Sequence, residues 1–154
     1  MTYRITGLDP APYKPLFGLS DAELASRGAV RMTVTDPTFP CRVSLTDRAV
    51  GETVLLVNHV SHDVANPYRA SHAIFVTETN QAPAEYVDQV PPVFEPRVLS
   101  LRGFDKDGMM TEAMLTQPGE ADAGIRRLFA NPEIETIHAH NATRGCFAAK
   151  IERN

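Results

Sequence analysis

Apolar and polar positions alternate over several short stretches of this chain, and only two stretches carry helical spacing. In residues 29–35, Val30, Met32 and Val34 fall on one side of a strand, Arg31 and Thr33 on the other. Residues 53–58 are almost continuously apolar and β-branched, as a central strand covered on both faces would be, and residues 73–77 read the same way. Residues 97–104 and 109–115 flank the turn Asp105-Lys106-Asp107-Gly108 and predict a hairpin. Residues 3–8 suit a short edge strand.

The first helix is predicted over residues 20–28, where Ser20 and Glu23 have capping-box spacing and Gly28 supplies the stop. The second begins near Pro118, shows Ala121, Ile125, Leu128 and Phe129 on one face, and ends at Asn131-Pro132. Gly124 inside it is a mild weakness. Three prolines keep residues 9–15 extended or turned, and the proline-rich, acidic residues 80–96 read as a surface excursion of the kind used for lids. Strands outnumber helices and the two do not alternate strictly. The expected fold is α+β, a mostly antiparallel β-sheet with two short helices packed on it, in a single domain over residues 1–154.

The closing stretch, residues 136–151, concentrates chemistry. It holds two of the five histidines, one of the two cysteines, Asn141, Arg144 and Gly145. Side chains alternate along a strand, so His138 and His140 share a face. Pairing His140 with Cys146 puts His138, His140, Cys146 and Lys150 on one side, with Ile137, Ala139, Phe147, Ala149 and Ile151 behind them. A one-residue slip would put the imidazoles among the apolar groups, so the apolar pattern selects this register. Gly145 suits a positive-φ position in the connecting loop. The expected polar cluster, His138, His140, Asn141 and Cys146, is a candidate catalytic set. Imidazole and thiol serve as acid–base and nucleophile, or as ligands for zinc.

The other three histidines, His59, His62 and His72, lie in one window beside the two apolar strands. Neighbouring strands would bring all five to one rim, with Tyr68, Arg69 and Arg102 as further ligand-binding candidates. Paired guanidiniums hold carboxylates and phosphates. Cys41 reads as a buried small hydrophobe, its functional alternative being a thiolate favoured by Arg42.

Composition narrows the classes. A net charge of −4 and the lack of a basic run argue against nucleic acid as partner. No apolar run is long enough to span a bilayer, the start is unlike a signal peptide, and two distant cysteines make no disulfide framework. A cytoplasmic protein with reduced thiols is expected. Phosphate-loop, dinucleotide, nucleophile-elbow and zincin motifs are all missing.

Four blocks together resemble an uncharacterised bacterial family, the domain of unknown function 1203. They are Leu16-Phe17-Gly18-Leu19-Ser20, Pro40-Cys41-Arg42-Val43-Ser44-Leu45, the run from Pro67 through Val76, and His138-Ala139-His140-Asn141-Ala142 with Gly145-Cys146. The resemblance implies a bacterial, cytoplasmic protein and brings no activity with it. The expected function is a small-molecule or metal-binding domain, catalytic or not, with a His/Arg/Cys pocket. The rival expectation is a non-catalytic interaction or structural module, including a homodimer joined at a strand edge.

Overall fold

A computed structural model describes all 154 residues. The protein is α+β, with two mostly antiparallel sheets and two α-helices. The strands are β1 (Tyr3–Thr6), β2 (Val30–Thr33), β3 (Pro40–Cys41), β4 (Thr46–Asp47), β5 (Thr53–His62), β6 (Ala70–Val76), β7 (Glu85–Val87), β8 (Leu99–Phe104), β9 (Met110–Thr116), β10 (Thr136–Asn141) and β11 (Phe147–Arg153). The helices are α1 (Asp21–Ser26) and α2 (Ala121–Phe129). One sheet has the order β7-β1-β11-β10-β8-β9, the other β2-β5-β6-β3-β4. Only β3 and β6 pair in parallel. No helix is long and apolar enough to cross a membrane.

The six-stranded sheet buries one face under α2. Ile125, Leu128 and Phe129 pack onto Ile5, Leu101, Ile137 and Ile151, all sealed from solvent. The helix approaches closely because Gly124 has no side chain. A Cβ there would stand 2.5 Å from Thr116 Cγ2 and 2.9 Å from Leu101 Cδ1. The glycine that looks like a helix weakness is a packing requirement. The five-stranded sheet has its own core, Leu55, Val57, Ile74 and Val76 against Leu24 of α1, Tyr13 and Cys41. The Ser20/Glu23 capping box forms, and Gly28 takes φ 71° just beyond α1.

Three expectations are corrected. One sheet becomes two. Strand β1 is not an edge, because it lies between β7 and β11. Residues 80–96 are not a free surface excursion: they contain β7, and Val93 and Phe94 are buried in the core under α2. Acidic and proline residues dominate that segment's composition, but two apolar anchors decide where it goes.

A backbone crossing ties the segments together. Gly7 N–H donates to Ala84 O at 2.8 Å, Ala84 N–H to Val43 O at 2.9 Å, and Leu8 N–H to Arg42 O at 2.8 Å. Any Cβ at Gly7 would run into the Val43 carbonyl, which is backbone and cannot step aside. Gly7→Ala is therefore expected to cost about 1–3 kcal/mol as overpacking, read as a lower urea midpoint. An unchanged midpoint would refute the close approach.

Candidate functional site

Histidines 59, 62 and 72 do not join 138 and 140 at the rim of one sheet. The β5–β6 hairpin instead lays its face onto the face of β8, β10 and β11 opposite to α2, and the imidazoles meet in between. His62 and His138 have ring centroids 5.0 Å apart, and His72 and His140 4.8 Å. His138 and His140 stand 6.3 Å apart along β10. His59 joins the layer through Phe147, at 5.5 Å. Phe104 completes it, 4.1 Å from His62 and 4.8 Å from His138. Tyr68, at the approach to β6, turns its edge to Phe104 at 6.4 Å. Phe104 and Phe147 are buried, yet they belong to neither apolar core.

The register of β10 with β11 explains how Phe147 arrives there. His138 pairs with Lys150 and Ala139 with Ala149, but His140 pairs with Phe147 rather than with Cys146. A bulge at Ala148 adds one residue to β11, and one extra residue flips every side chain beyond it. Phe147 therefore lies 5.4 Å from His138 and 5.8 Å from His140, on their face. The expected apolar side for Phe147 is thus corrected. The two imidazoles do share a face.

Cys146 is drawn elsewhere. Its sulfur accepts from Arg42 Nη2 at 3.3 Å and Asn141 Nδ2 at 3.4 Å, and no imidazole is among its hydrogen-bond partners. Arg42 thus serves Cys146 instead of its sequence neighbour Cys41, whose sulfur lies 3.5 Å from Thr77 Oγ1. Both cysteines are free thiols. The candidate trio for zinc, His138, His140 and Cys146, is not gathered, and no three His, Cys, Asp or Glu groups stand together as metal ligands do. Arg69 pairs with Asp63 at 3.2 Å, both well exposed, so it faces water rather than the imidazoles. Arg102 is the guanidinium of this layer. It sits directly across from His138 in the β8–β10 register, with its Nε donating to Ser100 Oγ at 3.3 Å.

Four of the five rings are tied by hydrogen bonds. His140 Nδ1 lies 2.9 Å from Gly145 O and His62 Nε2 lies 2.8 Å from Gly108 O. A carbonyl only accepts, so both of these nitrogens carry hydrogen. Ser61 Oγ meets His72 Nδ1 at 2.7 Å. Tyr13 Oη meets His59 Nδ1, also at 2.7 Å. His138 alone makes no side-chain hydrogen bond, although it is only 3% exposed.

Burial favours the neutral form of His59, His72, His138 and His140. It pushes His138 down to about 3, aided by the neighbouring His62 and His140 rings and by the charges of Lys150 and Arg102. His140 falls to about 4, again mainly by burial, with the Gly145 carbonyl opposing and Arg102 contributing. His59 and His72 are also lowered, first by burial and then by nearby charge. Burial raises the Tyr13 hydroxyl, so the Tyr13–His59 pair stays neutral as well.

His138 opens on a groove of about 570 Å³. His62, Ser61, Thr136 and Lys150 line it with Asp63, Asp105, Asp107 and Glu135, and Val64 is its one apolar wall. A second cleft of about 630 Å³, more apolar, lies over Tyr13 and His59 between Leu8, Leu16 and Val57. Asn141 belongs to neither. It lines a small cavity of about 10 Å³ beside Arg42 and Cys41.

Tyr13, Arg42 and Ser61 were not among the sequence candidates for this layer. Tyr13 sits in a proline-rich turn with no local signal. Arg42 carries one: a lone guanidinium inside the buried run Cys41-Arg42-Val43 must reach a distant partner. No curated protein and no solved structure gives a match. The family model described as a protein of unknown function, DUF1203, matches residues 38–153, which include every histidine, both cysteines, Arg42 and Arg102. The chain belongs to the DUF1203 family.

Proposed function

We propose that the chain is a small-molecule-binding domain whose ligand occupies the groove over His138. One observation carries this reading: the only imidazole of the layer without a hydrogen-bond partner is 3% exposed and borders that groove. The only sealed side-chain atoms lacking partners are Thr116 Oγ1 and Asn141 Oδ1. The slight exposure of His138 therefore includes its ring nitrogens. With one apolar wall, the groove suits a polar ligand that both donates and accepts hydrogen bonds, such as a hydroxylated or amine-bearing molecule.

Binding is favoured over proton transfer. General bases work best with a pKa near the operating pH, and His138 at about 3 is far below it. The test uses ethylene glycol, ethanolamine and acetate as probes, with the histidine ring signals followed by NMR. Saturable shifts of His138 and His62 are expected with at least one hydroxyl or amine probe, and their loss in His138→Phe. That variant keeps an aromatic ring against Phe104 and Phe147, so its fold should hold. The rival reading, a purely structural imidazole layer, draws on the four tied rings. It prevails if no probe moves His138 or if His138→Phe responds like the wild type.

A further inference from the structure

We propose that Arg102, with Ser100 and His72 beside it, forms a separate binding site for the anionic group, carboxylate or phosphate, of a small molecule. Arg102 is half-buried, yet no Asp or Glu lies within ion-pair distance of it; the ten ion pairs of the protein leave it out. Its one side-chain hydrogen bond uses Nε, so both terminal nitrogens lack a protein acceptor. Those nitrogens form the fork that grips two oxygens of a carboxylate or phosphate at once.

The surroundings supply no counter-charge either. The positive charge of Arg102 is felt at His72, His140 and His138, which burial holds neutral. A partly desolvated cation among neutral rings is costly until an anion joins it. Access is open on the other side. Ala113 and Leu115 of β9 lie opposite Arg102 and Ser100; Ala113 is exposed and Leu115 is 62% exposed. An anion entering over β9 would meet the guanidinium first, with the Ser100 hydroxyl and the half-buried His72 ring beside it.

The site is independent of the groove over His138, which Arg102 does not line. The experiment titrates the full chain with inorganic phosphate and, separately, with acetate at constant ionic strength. The readouts are the Arg102 Nε–H and His72 ring signals. Saturable movement is expected, with the stronger of the two probes naming the anion class. Arg102→Gln should abolish it. Arg102→Lys should weaken it roughly tenfold, because a point charge replaces the fork. His138→Phe should leave it intact, which separates this site from the groove. The proposal is overturned if Arg102→Gln, folded by circular dichroism, responds as the wild type does. It also fails if the movement tracks ionic strength alone or maps to Lys106 and Lys150.

Discussion

Stability should fall steeply as pH drops from about 6.5 toward 5, before most carboxylates titrate. His138 and His140 are 3% and 2% exposed, and both have folded-state pKa values depressed from 6.5, to about 3 and about 4. Above pH 6.5 the rings are neutral whether the chain is folded or not, and their contribution to stability is fully present. Below it the unfolded chain takes up two protons that the folded chain refuses, so protonation favours unfolding until the pH reaches the folded values. Each ring contributes a slope that approaches about 1.4 kcal/mol per pH unit below the unfolded value, and the two together lower stability by roughly 3 kcal/mol between pH 6.5 and 5. A total stability of about 5–15 kcal/mol makes that a large fraction. His59 and His72 shift the same way and steepen the loss. Asp122, Glu78 and Glu52 are held below the usual carboxylate range by Arg126, Arg31 and Arg48, so their stabilisation is lost at lower pH. The imidazole window therefore stands apart. Urea midpoints measured from about pH 7 to 5 should decline, and His138→Phe should make the decline shallower. A flat midpoint would mean that the rings take up protons in the folded protein.

Local signals in the sequence carried well. The Ser20/Glu23 cap, the turn at Asp105–Gly108 and the apolar face of α2 depend on residues within a few positions of one another. The α+β class follows from the same patterns. The pairing of elements did not carry. Strand β1 starts the chain, yet it sits inside the sheet because β7 caps it, and β7 is three residues within a proline-rich run. The face shared by His138 and His140 was legible from alternation alone. The side taken by Phe147 was not, since a bulge changes parity without changing composition. Nor could alternation show that the two histidine windows belong to different sheets, because facing sheets leave no trace in the spacing of either strand. Arg69 and Arg102 look equivalent in sequence, and an exposed Asp63 in the structure is what separates them.

Arg42→Met should be the most damaging single substitution in this region, lowering stability by about 3–5 kcal/mol. Arg42 follows β3 and crosses to the other sheet with 3% exposure and no carboxylate partner. Its Nε donates to Phe147 O at 2.8 Å, Nη1 to Pro40 O at 2.6 Å, and Nη2 to Cys146 Sγ at 3.3 Å. Burial lowers its pKa, but a guanidinium starts so high that it keeps its charge. Replacing a buried ion pair by apolar groups is often harmless, because both charges leave together. Here only the donor leaves: the Phe147 carbonyl and the Cys146 sulfur lose it outright, at about 1–3 kcal/mol for each polar group left buried and unpaired, while the Pro40 carbonyl keeps its place in the β3–β6 ladder. For a chain of this length the expected fall in melting temperature is roughly 6–20 °C. The Phe147 carbonyl sits at the bulge that brings its ring against His138 and His140, so the His140 ring signal should move as well. Arg42→Lys keeps the charge but reaches fewer acceptors, and should recover only part of the loss. An Arg42→Met protein within about 1 kcal/mol of the wild type would show that the stranded groups find other donors, and that the bulge is held by packing of Phe147 rather than by the guanidinium.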